Sequence, residues 1–119
     1  MKIIYISLPI TGHEDTYEQR LDEAVEYVKE KHPEYERIIT PKYVADELNE
    51  RYSPIIPAYK DYLSADIDIL TVCDAIFMCH GWENSKGCKA EWAFAEAIGL
   101  TILYHYCPLK KNKYCSLIY

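Results

Sequence analysis

The chain has 119 residues, half of them apolar, which is enough for one small core and one domain spanning residues 1–119. Thirteen basic against nineteen acidic side chains give a formal net charge of −6. That balance disfavours a nucleic-acid polymer or an anionic membrane surface as partner.

No apolar run reaches membrane-spanning length. The opening "MKIIYISLPITG" is too short and too soon interrupted for a secretory signal, and is expected to be a buried first strand. Five cysteines, none in CxxC spacing, are expected to be reduced thiols of a cytoplasmic protein. Cys79-His80 is too little for a metal site, which normally needs three or four ligands. Twelve tyrosines suit a ligand cleft or a subunit interface.

In chain order, the β-branched run "KIIYIS" predicts a strand and "LPITGHED" a loop, with Asp15 or Thr16 placed to cap a helix. Tyr17, Leu21, Ala24, Val25 and Val28 recur at helical spacing, so a helix is expected over 17–31. "RIIT" is a second strand, stopped by Pro41. "KYVADELNERY" fits a helix that "SPIIP" must break. A long helix follows over 58–72. "DAIFMC" is a third strand and "HGWENSKG" a polar loop. "SKGCKAEWAFAEAIG" carries the next helix, and "LTILYHY" is a fourth strand. The last residues of the tail fit an edge strand. Strands alternating with helices predict an α/β fold: a three-layer α/β/α sandwich, flavodoxin- or Rossmann-like, around a mostly parallel sheet of four to five strands. Such sheets bind ligands beyond the carboxyl ends of their strands. "SLPITGH", with Ser7, Pro9 and Gly12, and "CHGWENSKG" are the loops placed there.

Two acids fall on the wrong side of their helices. At about 100° per residue, Tyr59, Tyr62, Leu63, Leu70 and Cys73 form an apolar stripe with Asp66 in its middle, while Asp61, Ser64 and Asp68 fall opposite. On the next helix Phe94, Ala95 and Ile98 form the stripe, Cys88 its edge and Glu91 its centre; Lys89, Ala93 and Glu96 fall opposite. A buried carboxylate needs a partner or a proton. Each acid could cap a backbone N–H or pair with a buried base. Two of them beside one cleft also suit glycosidic chemistry, one attacking the sugar carbon and one managing the leaving group's proton. Ser85, Lys86 and Gly87 precede Glu91 at a helix start, where free N–H groups favour an anion. Ser85 or Asn84 can equally be a plain helix cap. Trp82 could stack on a base or pack over the helix start, and His80 could contact phosphate or be an ordinary loop histidine.

These residues resemble the nucleoside 2-deoxyribosyltransferase-like superfamily, and most of all its small uncharacterised bacterial and phage subgroup. "IYISLPITG" resembles the first-strand motif. "YKDYLSADIDILTVCDAIFM" resembles the helix whose Asp (here Asp66) stands eight residues before the Asp opening strand three (here Asp74). "GWENSKGCKAEWAFAEAIGLTI" resembles the segment that bears the nucleophile. The resemblance covers residues 1 to 104 or so. It implies that Glu91 attacks the anomeric carbon, that Asp66 handles the proton at the base, and that Tyr5 orients the nucleophile. It implies a covalent glycosyl-enzyme, with no cofactor and no metal, on a small nucleoside or nucleotide. It also implies a homo-oligomer, at least a dimer, in which a neighbouring subunit often completes the site. Ser85, six residues before Glu91, matches a serine that helps bind a 5′-phosphate in related hydrolases, which tilts the expected ligand toward a phosphorylated one. Leu8 stands where many relatives have Gly, and its side chain is expected to crowd a phosphate or sugar approaching the loop backbone. The rival readings are a non-catalytic nucleotide-binding or sensing domain on the same scaffold, and an interaction module whose two acids lie far apart.

Overall fold

An isolated β-strand leaves its backbone donors and acceptors without partners in the chain, so the short apolar runs of this chain must find one another. The computed structural model describes residues 1–10 and 12–105. Strands β1 (Ile3–Ser7), β2 (Arg37–Ile39), β3 (Ala75–Met78) and β4 (Thr101–Tyr104) lie in the order β2-β1-β3-β4, every neighbouring pair parallel. The helices between them are α1 (Tyr17–Lys31), α2 (Pro41–Tyr52), α3 (Tyr59–Ile69) and α4 (Lys86–Ile98). The expected three-layer α/β architecture is therefore present, with four strands; the edge strand expected in the tail lies outside the described residues.

Alternation along β1 distributes the core. Ile4 and Ile6 face α1, packing with Leu21, Ala24, Tyr27, Val28 and Phe77. Tyr5 faces the other way, with Ile39, Ile76 and Met78, under Val44 of α2, Leu70 and Ala95. A period of two does this without further instruction. One face thus carries α1 and the other α2, α3 and α4. At the opposite end, the Asp74 side chain accepts from the Ile3 N–H (2.7 Å) and its N–H donates to the Ile3 carbonyl (2.8 Å). This locks the register of β1 against β3.

Helix ends follow local chemistry with one exception. Thr40 Oγ1 accepts from Tyr43 N ahead of Pro41 at the first turn of α2, and Ser85 Oγ accepts from Cys88 N on α4. Gly99, at φ 82°, ends α4 in the left-handed conformation. Asp15 and Thr16 do not cap α1: a 3₁₀ turn over Glu14–Thr16 leads into it, and the Thr16 hydroxyl donates instead to the His13 carbonyl. The stretch 58–72 is also not one uniform helix, since α3 tightens into a 3₁₀ turn over Leu70–Val72. Ile98, expected on the buried stripe of α4, is exposed, because Gly99 follows at once and ends the helix. No helix among the described residues is long and apolar enough to cross a membrane.

The connection leaving β1 crosses one face toward β2, and the connection leaving β3 crosses the other toward β4. The carboxyl ends of β1 and β3 therefore part their loops, and a crevice opens between them.

Candidate active site

Tyr5 and Ser7 are two apart on β1, so both side chains point to the α4 side, and both are fully buried. Glu91, in the second turn of α4 and 4% exposed, descends to meet them. The Tyr5 hydroxyl donates to Glu91 Oε2 at 2.8 Å, and the Ser7 hydroxyl donates to Oε1 at 2.6 Å. Each carboxylate oxygen thus has its own donor across more than eighty residues of chain. Short, charge-assisted bonds of this kind fix the carboxylate and favour its ionised form.

Asp66 reaches the same point from α3. It is partly buried, and its carboxyl interacts with both Glu91 and Tyr5. Burial first, then the neighbouring Glu91 charge, push its pKa up to about 8. Burial pushes Glu91 up too, but Ser7, Tyr5 and Asp66 all pull it back by hydrogen bonding. The two carboxyls titrate as a pair: burial raises both, the Glu91 charge raises Asp66 further, and the Ser7 and Tyr5 hydroxyls favour the ionised form of Glu91. Burial and the adjacent Glu91 and Asp66 charges hold the Tyr5 phenol well above its usual range, so it stays a donor.

A cavity of about 310 Å³ opens over this pair. Asp66 and Glu91 form its inner end, with Ser85 and Gly87 on one side. Leu8 and Ile10 line it from the β1–α1 loop, with Leu8 mostly buried in the core on the α1 side. The other residues singled out from the sequence sit elsewhere. Tyr5 and Ser7 lie behind Glu91 and hold it. Pro9 is buried, and its carbonyl accepts from Arg20 Nη1 at 3.0 Å. Gly12 is at the loop tip with φ 86°, its N–H donating to Glu14 Oε1. Lys86 is exposed. Trp82 does not face the cavity: it stacks on Trp92 at 5.6 Å and 19°, beside Tyr104, whose hydroxyl accepts from Trp92 Nε1. His80 lies in the loop after β3, half-buried and near His105.

Residues that the sequence does not mark as site candidates also contribute. Tyr59, Tyr62 and Leu63 continue the face of α3 that carries Asp66, and all line the cavity. Their spacing alone indicates core packing and nothing more. Tyr17, at the start of α1, is held protonated by burial and by the Asp66 and Asp46 charges. Arg20, 4% exposed, braces the β1–α1 loop through Pro9; burial lowers its pKa. Its signal is present in the sequence, since a base four residues before Ala24 lies beside the apolar stripe of α1. No group of three or more His, Cys, Asp or Glu side chains that could hold a metal occurs among the described residues. Cys73, Cys79 and Cys88 are buried free thiols.

An open parallel sheet with a crevice at its switch point and an acid pair in it defines the class: an α/β domain whose candidate site lies at the carboxyl edge of its sheet. Within that class, the chain belongs to the family described as Domain of unknown function (DUF4406), whose model matches residues 2–104. A solved structure, "2-desoxiribosyltransferase from Leishmania mexicana", shares the fold with a TM-score of 0.60 at 22% identity. The match covers 90% of this chain and 65% of that one, so the present chain spans somewhat less than two thirds of that protein. A comparison with curated proteins gives no match.

Proposed function

We propose that this chain cleaves, or transfers the sugar of, the N-glycosidic bond of a nucleoside or nucleotide through a covalent glycosyl-Glu91 intermediate. One observation carries the reading: a buried glutamate held by two hydroxyls lies beside an aspartate whose pKa is pushed up to about 8 by burial and by that glutamate's charge, at the inner end of a cavity. Two carboxyl groups with opposite protonation are what a retaining glycosidic displacement requires. That a 2-desoxiribosyltransferase shares this fold points the same way.

Glu91 attacks the anomeric carbon; the carbon–nitrogen bond breaks, and its electron pair stays with the base. Asp66 gives its proton to the departing base nitrogen and becomes a carboxylate. It then takes a proton from water, or from an incoming base, as that nucleophile displaces Glu91. Tyr5 and Ser7 hold Glu91 ionised and aimed between these steps. The chemistry uses only the chain's own carboxyl groups. Assembly as a homo-oligomer, at least a dimer, belongs to the same proposal.

The test is incubation with nucleosides and their 5′-monophosphates, followed by chromatography for free base or exchanged base, and mass spectrometry for a sugar adduct on Glu91. Glu91→Ala abolishes turnover while keeping the fold. Equal turnover by that variant refutes the mechanism. Leu8 in the cavity favours the second reading, a non-catalytic nucleotide-binding domain. Saturable binding with no base released by the parent protein would select it.

A further inference from the structure

Tyr59, Tyr62, Leu63 and Asp66 stand at positions i, i+3, i+4 and i+7 of α3, one continuous face, and all four line the cavity. From Tyr59 to Asp66 the helix rises about 10 Å. Polar chemistry sits at the inner end of that face and aromatic surface at the outer end. Tyr62 is fastened: its hydroxyl donates to Asn49 Oδ1 on α2. Tyr59 leans over the start of α4, with its hydroxyl placed so that a Cβ on Gly87 would meet it at 3.0 Å. Yet Tyr59 is 61% exposed, a large ring left in water at a cavity mouth. An aromatic ring in that position contributes most when another planar ring covers it.

The electrostatics of the same cavity select against a phosphate. The charged side chains lining it, among the described residues, are Asp66 and Glu91. The start of α4 offers only a partial positive end, about half an elementary charge. Of the end N–H groups that no helix bond uses, Cys88 N is already taken by Ser85 Oγ. Lys86, the cation nearest in sequence, is exposed and does not line the cavity. A phosphate dianion would enter the field of a buried carboxylate, with no cation among the described lining residues to match it.

We infer that the cavity takes an uncharged nucleoside in preference to its 5′-monophosphate, with the base lying on Tyr59 and Leu63 and its edge toward Asp66. This rests on the nucleoside reading above and narrows it. It reverses the tilt toward a phosphorylated ligand that Ser85 gives in the sequence: Ser85 lines the cavity, but its oxygen serves the helix cap. It also moves base stacking from Trp82, which is already stacked on Trp92, to Tyr59.

The experiment is calorimetric titration of the full chain with the four common 2′-deoxynucleosides and their 5′-monophosphates, with free base measured in parallel. At least one nucleoside binds, and its monophosphate binds tenfold or more weakly. Tyr59→Leu weakens that nucleoside about fivefold, whereas Tyr59→Phe retains it; thermal unfolding checks that both variants fold. Monophosphate binding as tight as the nucleoside's, or no binding by any nucleoside, overturns the inference. Tyr59→Leu binding like the parent overturns the stacking assignment. Nucleoside binding without base release supports this inference and refutes the catalytic reading; base released only from monophosphates does the reverse.

Discussion

Replacing Asp66 by Asn should make the protein more stable at alkaline pH, and the gain should itself depend on pH. In the folded protein Asp66 holds its proton up to about pH 8, against a reference value of 3.8. Well below pH 3.8 the carboxyl is protonated folded or unfolded, so its titration contributes nothing. As pH rises from 4 toward 8 the unfolded chain releases this proton while the folded one keeps it. Stability therefore falls with pH, and the loss is complete once the folded group also ionises. One pKa unit corresponds to about 1.36 kcal/mol, so the full shift sets a ceiling of about 6 kcal/mol. Asp66 keeps some solvent contact and shares its proton with Glu91, which reduces the expected effect to about 2–4 kcal/mol. Asn keeps the shape and a donor but cannot ionise. Urea unfolding of parent and Asp66→Asn at pH 5, 7 and 9 measures the difference, and groups not coupled to Asp66 cancel. The variant's advantage should grow between pH 5 and 9. A pH-independent difference would show that Asp66 is not buried against Glu91 as described.

Tyr5→Phe leaves Glu91 Oε2 without its hydroxyl donor. The acid limb of the pH–rate profile should move to higher pH, with a loss of about 10- to 100-fold in kcat/KM near pH 6 and less at pH 8. Ser85→Ala removes the side-chain cap of α4 and should cost about 1 kcal/mol in urea unfolding. Gly87→Ala puts a methyl at 3.0 Å from the Tyr59 hydroxyl, a ring end free to swing. Stability should hold or rise by about 0.5–1 kcal/mol, while nucleoside binding, followed by calorimetry, weakens because the cavity narrows.

Much of the architecture is legible in the sequence because its signals are local. Short apolar runs alternating with 3.6-period segments give the element order, and α1 runs over the residues its spacing indicates. The same periodicity marks Glu91 and Asp66 as acids on apolar faces, and separates Asp66 from Asp68, which is exposed. Where local signals compete, the sequence misleads. Thr16 looks like a cap, but its hydroxyl turns back to His13. Trp82 looks like a base platform because nothing local shows that Trp92, ten residues on, will stack against it with Tyr104 alongside.

By itself, then, the sequence determined the parallel α/β order, the capped start of α4 and the presence of two acids on faces otherwise apolar. Periodicity and capping are properties of neighbouring residues, so they survive without the fold. Tertiary structure alone decided what those acids meet. Two strand hydroxyls converge on Glu91 only because β1 lies beside β3 and α4 crosses above them. Asp66 keeps its proton only because α3 brings it into the same low-dielectric corner. The face of α3 from Tyr59 to Leu63 turns from core into cavity wall for the same reason. The stretch "SKGCKAEWAFAEAIG" names the nucleophile candidate; the hydroxyls that hydrogen-bond it come from the first strand, more than eighty positions away.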